Sequence, residues 1–370
     1  LLMSFANIEP LTLSGAGGLV LTDATGTGAT SSLTLTDIGP ATQIVGNGGF
    51  ATTTFSGFNA AVVVGGGGAE LLDVVSVDNA TLTGLTLLGG NTNDLLTLGG
   101  GDASADTLRV RSLPATIAAT LNGNAGSDLF QLFDAGNTID NIVGQITVDG
   151  TDGNVGGNTD TLTIVNTGGA SADNAVIGAV NAGVSPDYFI DGITTAVSSD
   201  VTFRNIDVLN YTATGLNDTI DGRFVNTTPA HDLNTANLSG WTGADQFLLF
   251  TSDQIGGSGP NNTPSGLASG LNSINLFGDF PGNPNGGDGN DTFGATPAGV
   301  VGTGATNVGL VVPDSTRMIR PSASTTINID GGQPTGLAAP LGDVVGDVLN
   351  VDISALPNTT PVIVSTFAPG

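Results

Sequence analysis

The chain lacks cysteine and lysine altogether, and its 370 residues include one histidine and six arginines. Without cysteine there is no disulfide, no thiolate zinc site and no cysteine nucleophile. The arginines are spread along the chain, so no basic patch for nucleic acid is expected. No apolar run approaches the roughly 20 residues that a membrane-spanning helix needs, so no membrane span is expected.

Glycine and acidic residues are abundant instead. There are 58 glycines and 33 acidic residues, the net charge is −27, and 39% of the residues are apolar. This apolar content is too high for a disordered acidic tail and fits many short strands separated by turns. The strong negative charge favours positively charged partners, above all divalent cations.

One nonapeptide serves as the pattern for the chain. Residues 286–294 read Gly-Gly-Asp-Gly-Asn-Asp-Thr-Phe-Gly, and looser copies lie at 89–97, 123–131 and 240–248. Glycines permit a tight turn, and the Asp and Asn oxygens can bond its backbone or bind calcium. Further copies of the exit, an Asp followed by a short apolar-alternating segment, begin at Asp106, Asp160, Asp218 and Asp347.

The repeating unit is therefore strand, Gly/Asp/Asn turn, Asp, strand. Apolar alternation predicts strands at 117–121, 146–148, 274–276 and 327–329, and no long window has a helical period. We predict an all-β fold, a parallel β-helix or solenoid-like array of short strands in which each turn covers its neighbour. A string of β-sandwich domains is the alternative.

A longer repeat divides the chain into two modules. Residues 3–13 return at 201–211, where Phe, Asn, Ile, an acid and Leu keep their places. Residues 148–164 return at 329–351 in the same way. We predict a first β-repeat module at 1–198 and a second at 199–370, with the second broken off before its expected end.

The nonapeptide resembles the repeats-in-toxin motif Gly-Gly-x-Gly-x-Asp-x-apolar-x. In that family tandem copies wind a parallel β-roll and bind calcium between successive turns. The resemblance implies calcium ligands at Asp288 and Asp291, with looser matches at Asn124 and Asp128; the copies here are isolated rather than tandem. Turns that combine several acids add candidates. The candidate metal ligands are Asp288, Asn290, Asp291, Asn124, Asp128, Asp149, Asp152, Asp160, Asp343 and Asp347. The open alternative is that these residues only close turns.

The chain as a whole resembles the large repetitive Gly/Asp/Thr/Asn-rich surface proteins of bacteria. The Phe-x-Asn-Ile-Glu/Asp-x-Leu segments and the Asn-Asp-Thr turns carry this resemblance. It implies a non-enzymatic extracellular or cell-surface structural protein: a segment of a self-assembling surface layer, fibre or adhesin, stabilised by calcium, whose partners are copies of itself and surface polysaccharide.

Two other functions are consistent with the fold class. A carbohydrate-binding adhesin segment is the first alternative. A β-helical polysaccharide-degrading enzyme is the second, because such an enzyme can use two carboxylates. The only histidine, His231, lies in a Thr-Pro-Ala-His-Asp segment typical of a loop, and no catalytic motif surrounds it. We therefore predict no enzymatic activity.

Overall fold

A computed structural model describes residues 10–22, 31–47, 50–65, 68–77, 81–89, 105–150, 158–180, 187–193, 200–223, 233–249, 271–278, 291–294, 326–331 and 348–349. Within these ranges there is no helix, and the secondary structure consists of short strands. The first twelve are β1 (Leu11–Ser14), β2 (Gly18–Thr22), β3 (Ser31–Asp37), β4 (Thr42–Gly46), β5 (Thr53–Ser56), β6 (Ala60–Val64), β7 (Glu70–Val74), β8 (Gly84–Leu88), β9 (Thr107–Val110), β10 (Ala118–Asn122), β11 (Leu129–Leu132) and β12 (Ile146–Asp149). The remainder are β13 (Thr161–Val165), β14 (Asn174–Val180), β15 (Asp187–Asp191), β16 (Val201–Arg204), β17 (Val208–Thr212), β18 (Thr219–Arg223), β19 (Thr235–Ser239), β20 (Gln246–Leu249), β21 (Ser273–Phe277), β22 (Thr292–Phe293), β23 (Thr326–Asp330) and β24 (Val348–Leu349).

The strands form two sheets of twelve. Sheet A has the order β1-β5-β4-β3-β7-β9-β11-β13-β17-β19-β21-β23, and sheet B has the order β2-β6-β8-β10-β12-β16-β15-β14-β18-β20-β22-β24. From β6 to β14, and again from β16 to β24, successive strands alternate between the sheets. Each strand in one sheet therefore provides the crossover that parallel neighbours in the other sheet require. The predicted all-β, solenoid-like array is confirmed.

The apolar residues of successive strands lie in register. In sheet A one inward column runs through Leu72, Leu108, Phe130, Leu162, Leu209, Ala236, Ile274 and Ile327. All of these except Ile327 are buried. Strict alternation of side-chain direction in a strand explains how four or five residues suffice to supply one layer of core. The strands predicted around residues 117–121, 146–148, 274–276 and 327–329 are present with small shifts at their ends.

Each sheet contains one antiparallel triplet that the sequence did not predict. In sheet A, β4 runs antiparallel to both β3 and β5. In sheet B, β15 runs antiparallel to both β14 and β16. The first hairpin closes where Asp37 Oδ1 accepts a 2.8 Å hydrogen bond from the backbone N–H of Gly39, whose φ is +101°. Such a hairpin adds strands to one sheet without visiting the other.

The outer face of sheet A carries a column of polar residues. Its C-terminal part, which we call the amide column, consists of Asn210, Asn237, Asn275 and Asn328. Each side-chain amide donates to the oxygen of the preceding member, at 2.7, 2.6 and 2.6 Å. The amide column therefore ties four successive strands of sheet A together outside the core.

Strand pairing continues across the predicted module boundary. Strand β12 pairs with β16 and β13 pairs with β17, so both sheets pass residue 198 without a break in the array. The division into two modules stays a prediction about repeated sequence. The described part of the chain includes no helix with the length and apolar character needed to cross a membrane.

Candidate functional site: the aspartate turns

Five of the described turns between the sheets share one construction. A strand ends, a glycine follows, the chain turns, and an aspartate immediately precedes the next strand. At these glycines a Cβ atom would overlap the Oδ2 atom of that aspartate, so only glycine permits the close approach. The pairs are Gly89 with Asp106, Gly123 with Asp128, Gly150 with Asp160, Gly240 with Asp245, and Gly278 with Asp291.

The turns from sheet B to sheet A carry the first aspartate ladder, which consists of Asp106, Asp128, Asp160 and Asp207. The backbone N–H of Asp106 donates to Oδ1 of Asp128 at 2.8 Å, and that of Asp128 donates to Oδ1 of Asp160 at 2.8 Å. The N–H of Asp160 donates to Oδ2 of Asp207 at 2.9 Å. The carboxylates of Asp128, Asp160 and Asp207 thus each satisfy a buried backbone donor of the preceding turn, which would otherwise be costly.

The turns from sheet A to sheet B carry the second aspartate ladder, which consists of Asp173, Asp218, Asp245 and Asp291. The backbone N–H of each donates to Oδ1 of the next member, at 2.6, 2.8 and 2.8 Å. All of them are at most 3% exposed. Hydrogen bonds from N–H groups to an ionised carboxylate are stronger than neutral ones, which helps to offset the burial of charge.

Near the antiparallel triplet of sheet B, the first ladder ends in the turns that lead from sheet B to sheet A, and the second begins in the turns that lead from sheet A to sheet B. After Asp207 the turns from sheet B to sheet A use asparagine: the amide of Asn234 donates to Oδ1 of Asp207 at 2.7 Å. The amide of Asn272 donates in turn to Oδ1 of Asn234 at 3.1 Å. A side-chain amide donates as well as accepts hydrogen bonds, so the asparagines continue the hydrogen bonding beyond the first aspartate ladder without adding another negative charge.

A buried polar cluster surrounds the start of the second ladder. The Tyr211 hydroxyl donates to Oδ2 of Asp173 at 2.6 Å, and the Asn166 amide donates to both Asp173 oxygens. The pKa of Asp173 is raised to about 7, mainly by burial; the hydrogen bonds from Tyr211 and Asn166 lower it, and the nearby Asp218 and Asp140 carboxylates raise it. Burial also raises the pKa of Asp218, and it raises the pKa of Tyr211 well above its usual value. The charge of Asp173 therefore changes near neutral pH.

The structure gives backbone partners to three of the predicted metal ligands. Asp128 and Asp160 belong to the first ladder, and Asp291 belongs to the second. The side-chain amide of Asn124 donates to the Gly89 carbonyl at 2.7 Å, and its φ of +65° lies in the left-handed region that asparagine tolerates. These four residues therefore stabilise turns.

The predicted ligand Asp149 has a cationic partner. Nε of Arg204 donates to Oδ2 of Asp149 at 2.7 Å, and the amide of Asn205 donates to its Oδ1 at 2.7 Å. The predicted ligands Asp288, Asn290, Asp152, Asp343 and Asp347 lie outside the described residues. Within the described residues, no three His, Cys, Asp or Glu side chains are arranged so as to hold a metal ion. Calcium binding stays a prediction.

The sequence did not reveal which groups the aspartates contact. Several ladder members are exits of repeated turns in the sequence, but the repeat pattern does not include Asp173, and it includes Asp207 only as the acid of the longer repeat. The signal that could have found both is position, since each directly precedes a strand and follows a turn. The bonded aspartates are 22, 32 and 47 residues apart in the first ladder, so no fixed sequence period marks them.

The described core encloses a small cavity of about 10 Å³, which is lined by apolar side chains and Asp200. It is smaller than the pockets that hold substrates. A comparison of the sequence with known protein families found no match. Searches among curated proteins and among solved structures found none either.

Proposed function

We propose that the chain is a non-enzymatic structural protein of the cell exterior, a segment of a self-assembling surface layer, fibre or adhesin. The carrying observation concerns β1 and β23, the first and last strands of sheet A among the described residues. The inward residues Leu11 and Leu13 of β1, and Ile327 and Ile329 of β23, are only half-buried, whereas the residues in equivalent interior positions are buried. Solenoid ends of this kind are suited to adding a further coil.

The use of the carboxylates supports the same proposal. A hydrolase needs carboxylates that face a substrate from two sides of a groove. The ladder aspartates are instead buried and bonded to backbone N–H groups of neighbouring turns. Their chemistry holds the turns of the array in place, which suits a structural protein.

The net charge affects how copies pack. A charge of −27 makes neighbouring copies repel one another at low ionic strength. Calcium or another divalent cation bound between copies would weaken that repulsion. We therefore propose calcium as a factor in assembly, with Asp288 and Asn290 as its first candidate ligands.

The alternative of a carbohydrate-binding adhesin segment is favoured by the amide column, because side-chain amides on a flat outer face can bond sugar hydroxyls. Glycan binding by a chain that remains monomeric would support it over the structural proposal.

Sedimentation velocity and electron microscopy, in calcium and in excess chelator, test the proposal. We expect concentration-dependent filaments or sheets that form more readily in calcium. A monodisperse monomer at high concentration in both conditions would contradict self-assembly.

A further inference from the structure

We propose that the outer face of sheet A binds an acidic polysaccharide, a polymer whose sugar rings carry carboxylate groups. The site is the outward polar column that begins at Arg109 and continues through Gln131 and Thr163 into the amide column. Arg109 would bind a carboxylate, and the amides would bind hydroxyls. This inference rests on the carbohydrate-binding alternative, to which it gives a defined site and ligand class, and it does not depend on self-assembly.

Arg109 differs from the other described arginines in its partners. Among the three arginine side chains that the structure describes, Arg111 and Arg204 pair with aspartates, whereas Arg109 makes no ion pair. Nε and Nη2 of Arg109 instead donate to Oε1 of Gln131, at 2.8 and 2.5 Å. A glutamine oxygen carries no formal charge, so the positive charge of Arg109 remains available to an anion.

The guanidinium of Arg109 is held in place with one edge open. Its Cζ lies 5.9 Å from the centre of the Phe133 ring, and the bonds to Gln131 use one N–H of Nε and one of Nη2. Both N–H groups of Nη1 and the second of Nη2 remain, and two of these are parallel, as the two oxygens of a carboxylate require. Because the orientation is fixed before binding, less entropy is lost when a carboxylate binds.

The amide column keeps further hydrogen-bonding groups available. Each amide donates one N–H to the preceding member, and that of Asn210 donates to Oγ1 of Thr163 at 3.3 Å. A side-chain amide has a second N–H and a second acceptor site. In the described part of the chain the second N–H groups of Asn210, Asn237 and Asn275 make no hydrogen bond, and these side chains are only half-buried. They can therefore bind hydroxyls of a ligand.

This face is locally positive although the chain is strongly acidic. The outward residues of β9, β11, β13, β17, β19 and β21 include one charged side chain, that of Arg109. The ladder aspartates lie in the turns at the sheet edges instead. Salt screens exposed charges beyond about 8 Å at physiological ionic strength, so the total charge of −27 repels an anion at this face only weakly.

The dimensions of the column fit an extended polymer. Arg109 and Asn328 lie on strands six positions apart in sheet A, which at about 4.8 Å per strand is about 29 Å. The ring of Phe133, beside Arg109, is half-buried and gives an apolar surface for the C–H groups of a sugar ring. Carboxylates of a second copy are a less suitable ligand, because the ladder aspartates are buried in their own chain.

Isothermal titration calorimetry with polygalacturonate, a polymer of a uronic acid, tests the site. Excess chelator in the buffer prevents calcium from bridging the polymer to acidic turns. The fully methyl-esterified polymer is the matched ligand control, because it keeps the sugar backbone and loses the charge. We expect polygalacturonate to bind, more weakly as salt is added, and the ester to bind little.

Substitutions of arginine test the proposed cation. Arg109→Gln removes its charge, and Arg204→Gln removes the same charge from the outer face of sheet B as the control. We expect Arg109→Gln to bind roughly tenfold to hundredfold more weakly, the range for a lost hydrogen bond to a charged group, and Arg204→Gln to bind as the wild type does. Arg109→Lys keeps the charge but not the planar fork, so its affinity should lie between these.

An added negative charge tests the amide column. Asn237→Asp places a carboxylate among the amides and should weaken binding of polygalacturonate at least tenfold. Thr120→Asp adds the same charge at an exposed position on the outer face of sheet B and should leave binding unchanged. Circular dichroism of each variant confirms that it is folded.

The outcomes separate this inference from the broader proposal. If polygalacturonate does not bind, if the ester binds equally well, or if Arg109→Gln and Arg204→Gln bind alike, the site is wrong, and self-assembly is judged separately by sedimentation velocity. If polygalacturonate does not bind and Arg109→Gln abolishes assembly, a carboxylate of a second copy occupies Arg109 and the polysaccharide site is wrong.

Discussion

The glycine that begins five of the aspartate turns offers a quantitative test of the first ladder. Gly123→Ala would place a Cβ atom against the side chain of Asp128, whose Oδ2, Cγ and Cβ are the three nearest atoms. Overpacking of a buried site costs about 1–3 kcal/mol. Moving the carboxylate also weakens the 2.8 Å bond from the Asp106 N–H, and a bond to a charged group is worth about 1.5–3 kcal/mol. These terms overlap, so we expect a loss of about 3 kcal/mol.

Gly84→Ala is the matched control. Gly84 begins β8, its φ lies outside the left-handed region, and no atom lies within 4 Å of a Cβ placed there. An alanine there reduces the entropy of the unfolded chain, so the change should be neutral or stabilising by up to about 1 kcal/mol. Urea unfolding followed by far-ultraviolet circular dichroism measures both variants, with the change in midpoint and slope compared against the wild type.

A double-mutant cycle identifies the contact responsible. Asp128→Ala leaves the buried Asp106 N–H without this acceptor and should cost about 1–3 kcal/mol. Asp128→Ala removes the Oδ2 and Cγ atoms nearest to a Cβ at residue 123 and leaves only the Cβ contact, so Gly123→Ala should cost clearly less in the Asp128→Ala background than in the wild type. Additive costs in the cycle, or a Gly123→Ala variant as stable as Gly84→Ala, would refute the argument that the carboxylate makes this glycine necessary.

Three further predictions concern pH, the amide column and calcium. The raised pKa of Asp173, about 7 when folded against about 4 when unfolded, means that the folded state binds more protons between these values. The free energy of unfolding should therefore fall as pH rises from about 4 to about 7, and Asp173→Asn should flatten that dependence. If urea unfolding shows the same dependence on pH in the variant as in the wild type, the prediction is wrong. Asn237→Ala breaks two amide bonds on a half-buried surface and should cost about 1 kcal/mol in the same assay, whereas no change would mean that the amide column contributes nothing to stability. Asp291→Ala removes the acceptor of the Asp245 N–H and should lower the melting temperature by the same amount in calcium and in chelator, and a loss seen only in calcium would instead make Asp291 a metal ligand.

The amino-acid sequence by itself determined the fold class and the recurring turn. Apolar alternation over four or five residues fixes which side chains of a strand face the core, and this signal is local. Glycine and aspartate at the strand boundaries mark where each coil turns, and this signal is local as well. For this reason the strands that contain Leu121 and Ile274 could be predicted from sequence alone, and both residues are buried.

The tertiary structure decided what the aspartates do. The sequence predicts calcium ligands at Asp128 and Asp160 because oxygen-rich turns are suited to calcium, and calcium binding stays a prediction. One oxygen of each carboxylate accepts the N–H group of a residue 22 or 32 positions earlier in the chain, on the neighbouring coil. Coil length varies because loops of different length are inserted between strands, so the contact has no sequence period and becomes visible only when the strands are stacked.

The antiparallel triplets also depended on the tertiary structure. Strands β4 and β15 have the same alternating composition as their parallel neighbours, and alternation contains no information about direction. Direction depends on whether the chain crosses to the other sheet or turns back by a hairpin. The sequence thus determined the strands and their inward faces, because those follow from neighbouring residues. The structure decided the partners, because pairing joins segments that are distant in the chain.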